Sequence, residues 1–206
     1  MKRQILVASV LVLGAIAQVF AADEGWISLF DGKTIEGWKV GDNAASFRVE
    51  DGLLIANGKV AHLFYDGPAC QHNFKNFHFK ADVMTLPKAN SGLYFHTHYQ
   101  ESSWPKIGFE CQVNNTHSDP KKTAGLYNVK DVFEAPAKDG EWFTMEIIVQ
   151  GKRIITKVNG KTLVDYTEPE EVEGLRRLTS GTFAIQAHDP GSKVSYKNIQ
   201  VKPLPE

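Results

Sequence analysis

In the stretch FKNFHFKADVM the apolar residues Phe77, Phe79, Ala81 and Val83 take every second position, with His78, Lys80 and Asp82 between them. A period of two belongs to an extended strand with one face in a core. The same alternation recurs in SGLYFHTHY, where Leu93, Phe95 and Thr97 oppose Tyr94, His96 and His98. It recurs in GFECQVNN, with Phe109, Cys111 and Val113 against Glu110, Gln112 and Asn114, and in FAIQAH, with Phe183, Ile185 and Ala187 against Gln186 and His188. Asp51-Gly52 in SFRVEDGLLIANG predicts a hairpin. EWFTMEIIVQGKRIITKVNGKTLVDY reads as three strands joined at Gln150-Gly151 and Asn159-Gly160, and the last stretch as two strands around Asp189-Pro190-Gly191. Only PEEVEGLRRL, near residue 170, predicts a short helical turn. Many short strands, close turn signals and no alternating helices predict an antiparallel β-sandwich rather than a parallel sheet.

Two long segments, 99–107 and 114–138, fit no strand. Loops of that length in a compact domain commonly carry function, and these hold Trp104, Tyr127 and Phe133.

The start of the chain has a different character. Lys2 and Arg3 precede an apolar run, and Val19-Phe20-Ala21 places small residues where a signal peptidase reads them. Residues 1–21 therefore predict a cleaved secretory signal and a periplasmic or secreted bacterial protein. Residues 22–206 then form a single domain, with no membrane association after cleavage. Without Lys2 and Arg3 there are 21 basic and 24 acidic residues, a balance that disfavours nucleic acid or an anionic membrane as partner. In an oxidising space Cys70 and Cys111 could pair, or Cys111 could serve as a small buried hydrophobe in its apolar row.

The polar rows carry the candidate chemistry. A solvated strand face favours Lys, Thr, Glu and Ser. Here the strands turn Tyr94, His96 and His98, Glu110, Gln112 and Asn114, and Gln186 and His188 to one side. These groups direct hydrogen bonds, and among them are imidazoles and one carboxylate able to move protons near neutrality. A glycosidase with two strand-borne carboxylates is disfavoured, because Gln112 stands two residues after Glu110 and no E-x-D-x-x-E motif occurs. His96 and His98 with Glu110 could hold a divalent metal, calcium and zinc alike. Nucleophile chemistry is weakest, since Cys111 falls on the apolar side and no nucleophile elbow is present. General acid and base work on a polyhydroxylated ligand fits best, with Trp104 and Tyr127 either stacking on a sugar ring or packing under their loops.

Six stretches resemble one family in order and spacing: WISLFDGKTIEGWKV at 26–40, NSGLYFHT at 90–97, GFECQVNN, KTAGLYNV at 122–129, GEWFTMEIIVQGKRIITKVNGKTLVDY, and SGTFAIQAHDPGSKVSYKNIQVKPL. They are similar to the 3-keto-disaccharide hydrolases, also described as 3-keto-glucoside lyases and 3-keto-2-hydroxyglucal hydratases. The resemblance implies a concanavalin A-like jelly-roll sandwich acting on glycosides whose C3 hydroxyl has been oxidised to a ketone. Glu110 matches the Glu of the family's G-[YF]-E-x-Q motif and is the expected base, and His96 and His188 are the expected acid, polarising or ligand-holding groups. Tyr94, Trp104, Gln112, Asn114, Lys122, Tyr127 and Gln186 would bind the sugar. The chain departs from the pattern at His96, where relatives often have Arg, and at Asn114, where Asp is common. A non-catalytic carbohydrate-binding module on the same fold is the alternative.

Overall fold

A computed structural model describes residues 25–206, so the predicted signal segment lies outside the described residues. Two antiparallel sheets make up the fold. In spatial order the larger sheet runs Lys161–Thr167 (β11), Arg153–Val158 (β10), Phe143–Gln150 (β9), Phe77–Thr85 (β6), Val194–Pro203 (β13), Leu53–Ala56 (β4) and Phe47–Glu50 (β3). Ile27–Ser28 (β1) also pairs with β13. The smaller sheet runs Trp38–Val40 (β2), Ala61–Tyr65 (β5), Thr182–Ala187 (β12), Ser91–Thr97 (β7) and Phe109–Val113 (β8).

The alternating apolar rows meet between the sheets. On β6 every second residue from Phe77 to Thr85 is buried. Phe77 meets Phe183 of the facing sheet edge to face at 4.8 Å, while Phe95 and Phe109 stack at 5.3 Å with 16° between their planes. Truncating one such ring to Ala would cost ~3–5 kcal/mol. A polar tie also crosses the core, since the Tyr196 hydroxyl on β13 lies 2.7 Å from Ser91 Oγ on β7. Ser91 Oγ in turn donates to the Gln186 carbonyl at 2.5 Å.

The predicted hairpins form where their turn residues stand. Asp51 and Gly52 between β3 and β4, and Asn159 and Gly160 between β10 and β11, all have positive φ, as two-residue turns between twisted strands require. The predicted helical turn in PEEVEGLRRL is corrected: the segment is irregular. Cys70 and Cys111 are both free, the first exposed and the second buried. Among the described residues no helix is long and apolar enough to cross a membrane.

The smaller sheet has one face in the core and the other roofed by loops, so all five residues of β5 and of β8 are buried. Segment 123–127 runs along the outer edge of β8. Ala124 N donates to the Gln112 carbonyl (2.8 Å), Gln112 N to the Gly125 carbonyl (2.9 Å) and Tyr127 N to the Glu110 carbonyl (2.9 Å). That edge strand therefore finds its ladder partners in a loop.

Candidate functional site

The non-core face of the smaller sheet forms the floor of a cavity of about 220 Å³. Strand alternation places Tyr94 on β7 opposite Glu110 on β8, and Gly92 opposite Gln112. β12 contributes Gln186, and His188 follows just past its end. The loops add Asn90, Trp104, Asp119, Tyr127 and Arg176 as walls. Trp104 is 41% exposed, as a residue at a mouth should be.

Glu110 is the centre of the floor and only 6% exposed. Gln186 Nε2 donates to its Oε1 at 2.8 Å and to the Tyr94 hydroxyl oxygen at 2.9 Å, leaving the Tyr94 hydroxyl to donate to Glu110. Both amide protons of Gln186 are thereby used. Its Oε1 and that of Gln112 are buried without a hydrogen-bond partner among the described residues. Burial pushes the Glu110 carboxyl above its ordinary value, opposed by the Tyr94 hydroxyl, Arg176, Gln186 and His188. Tyr94 is pushed well above the usual phenol range by burial and by the Glu110 charge. Arg176 NH1 is also buried and unpartnered among the described residues.

His188 stands on the rim. Its Nδ1 donates to Asp189 Oδ2 at 2.8 Å, a carboxylate held by the backbone N–H groups of Gly191 (2.7 Å) and Ser192 (3.0 Å) and by Ser192 Oγ (2.8 Å). Burial works to raise the Asp189 carboxyl, but these hydrogen bonds prevail and hold it below the usual range. The tautomer so fixed leaves the His188 Nε2 lone pair free for proton transfer.

The structure gathers Tyr94, Trp104, Glu110, Gln112, Tyr127, Gln186 and His188 around this cavity and takes three predicted residues away from it. His96 breaks the alternation of β7, because its φ of 54° turns the strand. A Cβ on Gly108 would lie 2.3 Å from the Phe95 carbonyl oxygen, so this bend packs only against a glycine. The His96 ring ends up buried, with Nε2 donating to the Lys75 carbonyl (2.9 Å) and Nδ1 accepting from Thr179 N (3.3 Å). Burial holds its pKa down to about 4, so it is a neutral tie between segments. Asn114 stands just past the end of β8 and pins the following loop, donating to the carbonyls of Asp119 (2.9 Å) and Lys121 (2.8 Å) and accepting from His117 N (2.9 Å). Lys122 Nζ is spent on the carbonyls of His117 and Asp119, both at 2.8 Å.

The metal set proposed from His96, His98 and Glu110 is likewise corrected. Both nitrogens of His96 are engaged and His98 is exposed beyond β7. A different group, His117, His188 and Asp189, brings one potential ligand atom each within 4.8 Å of one another. As hydrogen-bonded, however, His117 Nδ1 accepts from Asp119 N at 3.1 Å, so the proton of the neutral ring sits on Nε2. The arrangement fits a proton-handling pair better than a ready three-lone-pair cation site.

Sequence reasoning missed Asn90, Asp119 and Arg176. All three come from irregular segments, where periodicity says nothing. Asn90 does fall within the NSGLYFHT stretch, and Asp119 in HSDP has the look of an Asx turn, accepting Lys121 N at 2.9 Å.

Comparison with known proteins gives this site a setting. Residues 25–202 match the model of the 3-keto-alpha-glucoside-1,2-lyase-like domain. A 3-keto-disaccharide hydrolase of Bacteroides thetaiotaomicron is 26% identical over 171 residues, covering 69% of this chain and 59% of the relative. The chain thus spans less than two thirds of that protein. A solved structure from Parabacteroides distasonis, assigned as a glycosyl hydrolase, superposes with a TM-score of 0.72 at 24% identity, over 88% of this chain and 95% of that one. The exoplasmic/lumenal domain of VIP36, in a calcium- and Man3GlcNAc-bound form, superposes with a TM-score of 0.57 at 11% identity over 90% of each chain. These likenesses establish the concanavalin A-like sandwich.

Proposed function

Because the chain belongs to the 3-keto-alpha-glucoside-1,2-lyase-like domain family, we propose that it is a carbohydrate-active enzyme cleaving 3-keto-glycosides, including 3-keto-disaccharides, at C1. The observation that carries this reading is the buried Glu110 carboxylate, made more basic by burial, on a floor it shares with two amide oxygens that have no partner among the described residues. Those oxygens suit sugar hydroxyls, and Trp104 and Tyr127 offer faces to a ring.

A ketone at C3 acidifies the C2 proton. Glu110 takes that proton, and the electron pair moves to the C3 oxygen as an enolate. The Arg176 guanidinium, which lines the cavity, acts on the Glu110 charge and has a buried N–H without a partner among the described residues, stabilises this enolate charge. The enolate then reforms the ketone, C1=C2 forms and the C1–O bond breaks. The departing oxygen takes the Nε2 proton of His188 in its imidazolium form, whose Nδ1–H Asp189 holds, and the Nε2 lone pair so freed then takes a proton from the attacking water. Addition of water across the enone, with OH at C1 and the proton returned to C2, gives the free 3-keto sugar.

Direct hydrolysis is the second reading, favoured by one observation. Asp119 also lines the cavity, giving the two carboxylates that displacement by water requires. Turnover in deuterated water separates the two: deuterium at C2 supports elimination and hydration, and clean cleavage without it supports hydrolysis. In either case Glu110→Gln should lower turnover by ~10²–10⁴-fold and keep binding. Saturable glycan binding with no product from any 3-keto-glycoside would instead make the protein a carbohydrate-binding module. The signal-like residues 1–21 support action outside the cytoplasm, to be checked by fractionation and N-terminal sequencing of the mature protein.

A further inference from the structure

Next to the cavity, joined to it through the contact of Trp104 with His62, lies a second polar hollow of about 250 Å³. Its floor is β5, from Val60 to His62, and its walls are Asp42, Asn43 and the segment Gln100–Ser103. Two rings link the hollows. Trp104 packs edge-on against the His62 ring at 5.5 Å and leans on the His188 ring at 5.4 Å. His62 is 5% exposed, yet its Nε2 has no hydrogen-bond partner among the described residues. A buried imidazole nitrogen left unpaired at a polar hollow carries a desolvation cost that a ligand hydroxyl would relieve.

We infer that this hollow is the subsite for the leaving group, taking the second, uncharged sugar ring of a disaccharide, with His62 Nε2 bonding one of its hydroxyls and Trp104, which lines the main cavity and packs on His62, standing at the junction of the two rings. Burial, aided by His188, holds His62 at a pKa of about 4, so it meets the sugar as a neutral ring. The carboxylates of Asp42 and Glu101 in the same walls turn away anionic aglycones. This deepens the reading of the main cavity as a keto-glycoside site and rests on it.

The test pairs a 3-keto-disaccharide of glucose with methyl 3-keto-glucoside, which has nothing to place in the hollow. The wild type is expected to favour the disaccharide in kcat/KM by about tenfold, roughly one well-made hydrogen bond and its packing, and His62→Phe should bring the ratio toward one. Ser102→Trp, which fills the hollow from its exposed rim, should do the same if His62→Phe fails to fold. A wild-type ratio near one, or a ratio that neither substitution moves, overturns the subsite. Binding of the unoxidised disaccharide and methyl glucoside, followed by tryptophan fluorescence, separates the two layers. If neither keto-glycoside turns over but the disaccharide still binds tighter, and loses that advantage in His62→Phe, the reaction fails and the subsite stands. Turnover of both keto-glycosides with no preference in either assay sinks the subsite alone.

Discussion

The carboxyl of Glu110 lies over Gly92 of the neighbouring strand, where a Cβ would come within 2.4 Å of Oε1 and 2.9 Å of Cγ. The missing side chain at 92 is therefore what gives the acid its place on the floor. Gly92→Ala should leave the strand backbone unstrained but push the carboxylate off its hydrogen bonds to Gln186 and Tyr94. Displacement of a reacting group by about 1 Å costs on the order of 10²-fold in rate. We expect kcat to fall by about that much, with Tm lowered only by a few degrees. In a Glu110→Gln background Gly92→Ala should add little, because the two changes act through one group. Additive losses would separate Gly92 from the acid.

Arg176 is among the groups that oppose burial and hold the Glu110 carboxyl down. Arg176→Met should lower kcat by ~10²–10³-fold through loss of charge stabilisation. It should also move the acid limb of the kcat/KM profile to higher pH, since the carboxyl loses a neighbouring positive charge. A fall in rate with an unmoved acid limb would place Arg176 away from Glu110 in solution.

His96 makes an acid-stability prediction. Its folded pKa is about 4 against an ordinary value of 6.5, so between those values the unfolded chain binds a proton that the folded chain refuses. The stability it contributes is present above pH 6.5 and is lost as pH falls toward 4, by ~3 kcal/mol for this one group. The gap between urea midpoints at pH 7 and pH 4.5 should narrow in His96→Gln, whose side chain does not titrate, and the part that remains belongs to groups such as His62, which burial also holds at about 4. An equal pH dependence in that variant would remove His96 from acid unfolding.

Exhaustive chelation should leave turnover intact, because His117 presents its lone pair to the Asp119 backbone N–H rather than to a cation. Activity lost to chelator and restored by one divalent ion would assign His117, His188 and Asp189 as its ligands.

Thiol chemistry should separate the two cysteines. Cys111 is fully buried and burial pushes its thiol far up, whereas Cys70 is exposed. A thiol reagent should label one group in the native protein and the second only on unfolding. Two unreactive groups that react after reduction would mean that the cysteines pair.

The sandwich was legible because its signals are local. Asp51-Gly52 and Asn159-Gly160 set turns by their own backbone preferences, and the row from Phe77 to Val83 keeps period two for as long as the strand stays regular. Glu110, Gln112, Tyr94 and Gln186 share one face by the same count, Tyr94 because it precedes the bend of β7 at His96. His96 was misplaced because β7 bends there, against a Gly108 whose missing Cβ leaves the room, and no alternation anticipates that contact. Asn114 was misplaced because the strand ends at Val113, after which parity loses its meaning. PEEVEGLRRL spaces Val172, Leu175 and Leu178 as a helix would, yet Gly174 at φ 85° interrupts it, and Arg176 reaches the cavity from an irregular strap. Arg176 and Asp119 owe their place to where loops are tied, as when Gly108 N donates to the Leu175 carbonyl at 3.1 Å.

The loop lying along β8 has one more consequence. An open strand edge is a template on which a second chain can add its own strand, and long flat edges seed aggregates in that way. With Gln112, Ala124, Gly125 and Tyr127 already exchanging their backbone bonds, the flank of the smaller sheet nearest the acid offers a visiting polypeptide no free register to copy. The same stitching makes the cavity wall part of the sheet, so a change in that loop that loosened the wall would unseal the edge as well.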